Sequence, residues 1–290
     1  VIGLLFPFLI FLILELLNTK IQSKEDIEKV TQIPFIGGIG HNSKHSNLVV
    51  HERPKSVVAE AFRALRSNIN YFTGYQDNKI VLITSSISGE GKTFTSINLA
   101  TVLSMSGKRT VIVGADMRKP RLFNDFGLSN TVGLSSVLSG LCPVEETLQK
   151  TPIENLWLLS GGPVPPNPSE LLMKDALVDL FSQLKKHFDY IILDSPPVAL
   201  IADAFMLTKF ADHTLYVVRQ NYTPKELLRI IQDYYANGRI SNVSIVLNDI
   251  YKSGPGYGYG YGYGYGYGYG YGYGYGKESS NNDRDSYYSD

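Results

Sequence analysis

The stretch Lys79-Ile-Val-Leu-Ile-Thr84-Ser-Ser86-Ile-Ser88-Gly-Glu-Gly-Lys92-Thr93 decides how this chain is read. The apolar run Lys79–Thr84 predicts a buried strand. It leads into a loop of small residues, and a helical pattern follows from Thr93 to Met105. Each residue type in the loop suits the holding of a nucleoside triphosphate. Gly89 and Gly91 let successive backbone N–H groups turn inward around phosphate oxygens with no Cβ in the way. Lys92 has the reach and charge for the β- and γ-phosphates, and the Thr93 hydroxyl suits Mg²⁺. The helix behind them points its positive end at the same anion. The expected nucleotide-binding residues are therefore Ser88, Gly89, Glu90, Gly91, Lys92, Thr93 and Phe94. A plain phosphate loop opens on Gly, and here Ser86 stands in that place.

Downstream, strand and helix patterns alternate. The strands are expected at Lys79–Thr84, Thr110–Gly114, Leu156–Leu159, Tyr190–Asp194, His213–Val218 and Val243–Leu247. Helices are expected at Thr93–Met105, Ser169–His187, Ala202–Phe210 and Pro224–Asn237. That order predicts an α/β fold, a doubly wound and mostly parallel sheet with helices on both faces and ligands at the carboxyl ends of its strands. Asn167, Pro168 and Glu170 read as a helix start, with a cap and a first-turn Pro.

Upstream, Pro54–Phe72 reads as an amphipathic helix with Val57, Ala61, Leu65 and Ile69 on one stripe. Residues 18–52 read as a juxtamembrane tether, with a short helix at Asp26–Val30 and a loop at Pro34, Gly37, Gly38 and Gly40. Val1–Leu17 is almost wholly apolar, slightly short of the roughly 20 residues that span a bilayer. The chain opens on Val rather than Met, so this run is expected to be the end of a transmembrane helix whose start lies further upstream. Lys20 and Lys24 agree with a cytoplasmic exit, so the main domain, residues 53–250, is expected on the cytoplasmic side of the membrane.

After Tyr251 the pattern stops. Gly256–Gly276 alternates Gly with ten tyrosines: Tyr257, Tyr259, Tyr261, Tyr263, Tyr265, Tyr267, Tyr269, Tyr271, Tyr273 and Tyr275. The polar stretch Lys277–Asp290 adds Tyr287 and Tyr288. With half the repeat Gly and no aliphatic residue to complete a core, residues 251–290 are expected to be a disordered tail. The net charge of zero gives no global field for nucleic acid, and none is expected as a partner. Cys142 is the only cysteine, which excludes a disulfide framework and fits a reducing compartment. His41, His45 and His51 have no metal-ligand company and carry no metal role.

Two acidic strand ends complete the phosphate loop. Tyr190-Ile-Ile-Leu-Asp194-Ser-Pro-Pro places Asp194 where a buried strand emerges, able to hold Mg²⁺ directly or through water. Thr110-Val-Ile-Val-Gly-Ala-Asp116-Met-Arg118 places Asp116 after another strand, with Arg118 able to face the same pocket and expected among the nucleotide-binding residues. Lys92, Asp116 and Asp194 are thus the expected catalytic residues and Thr93, Asp116 and Asp194 the expected metal ligands. Such a set suits phosphoryl transfer, where catalysis is mostly positioning and charge stabilisation. Asn248 and Asp249, ending the last strand, are candidates to meet adenine.

In these boxes the sequence resembles the bacterial tyrosine kinases, whose catalytic domain is of P-loop NTPase type. The resemblance covers roughly Pro54 to Ile250 and rests on SISGEGKT, VIVGADMRKP, IILDSPP and SGGPVPPNPSELL. Septum-site and plasmid-partition ATPases are similar too, but they carry a second Lys early in the loop, where this chain has Ile87. The resemblance implies ATP and Mg²⁺ as cofactors, with Asp116 activating a tyrosine hydroxyl and the tail tyrosines as phosphate acceptors. It also implies a ring homo-oligomer, with Glu60, Arg63 and Arg66 (E-x-x-R-x-x-R) at the subunit contacts. Partners would be the machinery of capsular or extracellular polysaccharide polymerisation and export, and a tyrosine phosphatase. One departure stands out: the family's second box commonly has an acidic residue two places before Asp116, and here that residue is Gly114. It leaves open the alternative of an ATPase assembly switch without kinase activity.

Overall fold

Eight strands make one sheet in the order β1-β8-β7-β2-β6-β3-β5-β4 in a computed structural model that describes residues 18–43, 46–74, 78–197 and 203–251. The strands are β1 Phe35–Gly40, β2 Lys79–Ser85, β3 Thr110–Gly114, β4 Leu148–Lys150, β5 Leu156–Leu159, β6 Tyr190–Asp194, β7 His213–Arg219 and β8 Val243–Ile250. Neighbours run parallel except β4 against β5. The β2, β3 and β6 strands are buried along their whole length, which is why they read as continuous apolar runs.

The helices are α1 Lys24–Val30, α2 Val49–Glu52, α3 Val57–Thr73, α4 Lys92–Met105, α5 Leu122–Asp125, α6 Leu134–Leu138, α7 Pro168–Leu172, α8 Asp175–His187, α9 Asp203–Thr208 and α10 Lys225–Ala236. They cover both faces. Alternate residues of β2 show the division: Val81 and Ile83 pack with Phe62, Leu65 and Ile97 of α3 and α4, whereas Ile80 and Leu82 pack with Leu180 and Leu184 of α8. A third cluster joins Ile27 of α1 and Leu228 and Ile231 of α10 to Tyr216, Val218 and Ile245. Two-sided burial of this kind makes the sheet doubly wound.

Several expectations are corrected. Pro34–Gly40 is not a loop: Phe35–Gly40 is the edge strand β1, paired in parallel with β8. The segment expected as a tether is folded against the sheet, with Ile21, Ile27, Ile33, Ile36 and Ile39 all buried. Burying five isoleucines removes far more apolar surface from water than a solvated linker would tolerate. The helix expected over Ser169–His187 is two, α7 and α8, interrupted at Met173 and Lys174. Asn167 does not cap α7 with its side chain; its Nδ2 donates instead to Glu170 Oε2 at 2.6 Å. No helix among the described residues is long and apolar enough to cross a membrane. The apolar run Val1–Leu17 and the Gly-Tyr repeat both lie outside the described residues.

Candidate active site

Strand register brings the chemistry together. Asp194 at the end of β6 pairs with Ile83 of β2 on one side and Gly114 of β3 on the other. Its carbonyl accepts from Ala115 N at 2.8 Å and Asp116 N at 3.2 Å, which pins the turn carrying Asp116 to the end of β6. The phosphate loop leaves the end of β2 between the strands, β6 and β7, that flank it.

Within the loop, Gly91 stands just before α4 at φ +97°. A Cβ there would meet Asn248 Nδ2 at 2.0 Å, in a backbone region that side chains already disfavour. Gly91→Ala is therefore expected to lower stability by about 1–3 kcal/mol, seen as a lower urea midpoint.

Lys92 is buried, and its Nζ donates to Ser85 Oγ at 3.1 Å. Burial lowers its pKa, while the charges of Asp194, Glu90 and Asp116 act to raise it. The ammonium is thus the cation that these carboxylates share. Asp194 accepts Thr93 Oγ1 at 2.8 Å on one oxygen and Ser96 Oγ at 3.0 Å on the other. Burial pushes the Asp194 carboxyl up to about 6, against the pull of Thr93, Lys92 and Ser96 and with a further push from Asp116. Asp116, half-buried, accepts from Lys119 N at 3.1 Å. The residues expected to be catalytic, Lys92, Asp116 and Asp194, do converge.

Other expected contacts lie elsewhere. Glu90 turns away from the loop's concave side and is fully buried, its carboxylate accepting from Ile87 N at 2.7 Å and from the Thr223 hydroxyl. Burial raises its pKa. It braces the loop from behind. The Phe94 ring joins the core, edge-on to Phe62 with centroids 5.8 Å apart. Arg118 donates to Ser169 Oγ at 2.9 Å. Asn248 holds the Glu90 carbonyl at 2.9 Å, and Asp249 is paired with Arg219 at 2.8 Å and His41 at 2.6 Å, so neither side chain is presented as an adenine contact. Ser88 and Gly89 are exposed at the tip of the loop.

On α3, Glu60 and Arg63 form an ion pair, Arg63 also donates to the Pro54 carbonyl, and Arg66 donates to the Val102 carbonyl at 3.3 Å. Three residues of the site escaped the sequence reading: Ser85, Ser96 and Thr223. Ser96 alone had a local signal, standing three places after Thr93 and so on the same helical face.

Comparison with known proteins agrees with this geometry. A family model described as an AAA domain matches residues 78–237. The tyrosine-protein kinase YwqD of Bacillus subtilis is 35% identical over 202 residues, covering 70% of this chain and 85% of that protein. The chain belongs to the bacterial tyrosine-kinase family. It is a protein-tyrosine kinase by that membership. The solved kinase domain of the Escherichia coli tyrosine kinase ETK superposes with a TM-score of 0.74 at 27% identity, covering 86% of this chain and 99% of that one. A longer relative, the tyrosine-protein kinase wzc of Salmonella typhi, is 32% identical over 275 residues, 89% of this chain and 38% of its own length. Within this bacterial tyrosine kinase, the Gly114 departure has a packing counterpart. A Cβ on Gly114 would lie 3.0 Å from the backbone nitrogen of Gly161, so the loop following β5 takes up the room an acidic side chain would need.

Proposed function

We propose that this kinase transfers the γ-phosphoryl group of ATP to tyrosines of its own tail, Tyr257–Tyr275, Tyr287 and Tyr288. The observation that carries the reading is the convergence of Lys92, Thr93, Asp116 and Asp194 at adjoining strand ends. Loop amides and the Lys92 ammonium bind and orient the β- and γ-phosphates. Thr93 and Asp194, hydrogen-bonded to each other, offer the oxygens that suit Mg²⁺. When bound, that ion shields the charge that builds on the phosphate oxygens. Among the described residues no three His, Cys, Asp or Glu side chains gather into a metal cage, so phosphate and water oxygens would complete its shell. Asp116 accepts the phenolic proton while the new O–P bond forms and the bridge to the β-phosphate breaks, leaving phosphotyrosine and ADP.

The wider setting follows the family. Subunits assemble into a ring through Glu60, Arg63 and Arg66, the tail of one entering the site of the next. The apolar segment Val1–Leu17 ties the domain to the cytoplasmic face of the inner membrane. Charge added to the tail, about −1.5 to −2 per phosphotyrosine, drives subunits apart by self-repulsion. A phosphatase resets the cycle, and the polysaccharide polymerisation and export machinery reads it. Gly114 favours a second reading, an ATPase switch that turns over nucleotide without labelling tyrosine.

Mapping phosphorylated residues after incubation with ATP and Mg²⁺ separates the two. Phosphate on the tail tyrosines is expected. ATP turnover with an unlabelled tail contradicts the kinase reading and leaves the switch.

A further inference from the structure

A phosphate loop works only if its N–H groups face inward, which forces its carbonyls outward. Outward carbonyls near a buried core need donors, or the peptide units are free to rotate and present oxygen to the anion. Here each of four successive carbonyls has one. Ser88 O accepts from the Tyr222 hydroxyl at 3.0 Å, Gly89 O from Arg219 Nη1 at 3.0 Å and Glu90 O from Asn248 Nδ2 at 2.9 Å. Gly91 O accepts from Thr95 N and Thr95 Oγ1, both at 2.9 Å.

Gly91's donor is part of the α4 helix itself. The other three come from distant sequence: Arg219 at the end of β7, Tyr222 in the turn after it and Asn248 near the end of β8. They are themselves fixed. The Arg219 guanidinium lies 5.1 Å over the Tyr222 ring and is held by Asp249 at 2.8 Å. Thr223, in the same turn, donates to the Glu90 carboxylate and accepts from Arg219 N at 2.9 Å. We infer that Arg219, Tyr222 and Asn248 are positioning residues, a row of donors that holds the outward carbonyls of residues 88–90 and thereby keeps the amides aimed at the nucleotide phosphates. None of the three touches the reacting atoms. Their contribution falls on nucleotide affinity more than on the chemical step. The inference rests on the nucleotide-binding reading above.

The test is a direct titration of ADP and ATP with Mg²⁺ into the full chain, alongside kcat and KM for ATP. Tyr222→Phe removes one hydroxyl and keeps the ring beneath Arg219. Its nucleotide Kd and KM are expected to rise roughly three- to tenfold, the range for one lost hydrogen bond, with kcat within about twofold and the nucleotide-free Tm unchanged. Asn248→Ala is expected to act in the same direction, more strongly, since it strands a buried carbonyl. Unchanged Kd in Tyr222→Phe, or a loss matched by an equal fall in kcat, overturns the inference while leaving the site intact. Absence of nucleotide binding by the unmutated chain sinks the nucleotide-binding reading instead.

Discussion

Lys92→Met is expected to lower phosphotyrosine formation by roughly 10²–10³-fold or more while the domain stays folded. Preorganised charge at a site shielded from water is the largest contributor to reactions of this kind, and removal of one such donor costs about that factor. Met matches the length and apolar stem of Lys, so the packing around α4 survives. The electrostatics do not. Lys92 is the cation that acts against the burial of Asp194 and Glu90, and without it both carboxyls move to higher pKa. A Lys92→Met protein that kept more than a tenth of the parent rate, by labelled-ATP incorporation, would place the chemistry elsewhere.

Asp194→Asn has an opposite effect on stability and activity. Asp194 is held up at about 6 from 3.8 by burial. Between those pH values the native state holds a proton that the unfolded chain has released, so stability is full below about 4 and declines as pH rises through 6. The decline amounts to ~3 kcal/mol. An amide at this position escapes that loss, and its oxygen still accepts from Thr93 or Ser96. The variant is therefore expected to match or exceed the parent's stability at pH 7.5, with the difference shrinking towards pH 4. Activity should nevertheless fall at least 100-fold, because a neutral amide is a poor Mg²⁺ ligand and leaves phosphate charge uncompensated. Urea unfolding of both proteins across pH 4–8 checks the first half, and labelled ATP the second. A variant that is less stable at pH 7.5 than at pH 4, relative to the parent, reverses the sign and refutes the electrostatic account of this carboxylate.

Most of the sheet was legible from sequence because its strands are buried on both faces. The boundaries of β3, β5 and β6 follow directly from apolar runs ended by Gly114, Ser160 and Asp194. β1 was not legible. Phe35-Ile-Gly-Gly-Ile-Gly40 has half its residues without side chains, so no period of two survives, and the strand exists because the edge of β8 offers it a ladder. The split between α7 and α8 was hidden for the opposite reason: Met173 and Lys174 are good helix formers, and the break is set by tertiary packing.

Within the site, local spacing exposed the groups proposed to do chemistry, Lys92, Thr93, Asp116 and Asp194. It could not expose the groups that hold them. Glu90 reads as one more nucleotide-binding loop residue until Thr223 and Asn248, more than a hundred residues away, close around it. Arg219 and Tyr222 likewise gain meaning only when β7 lies beside β2.

The most direct test of the account is a crystal structure of the chain with Mg²⁺ and a non-hydrolysable ATP analogue. The terminal phosphates should lie within the 86–93 loop, Lys92 Nζ on a γ-oxygen, the metal on Thr93 Oγ1 and on Asp194 directly or through water, and Asp116 facing the γ-phosphorus. A nucleotide bound elsewhere, or one whose phosphates leave Asp116 and Asp194 pointing away, would contradict the account.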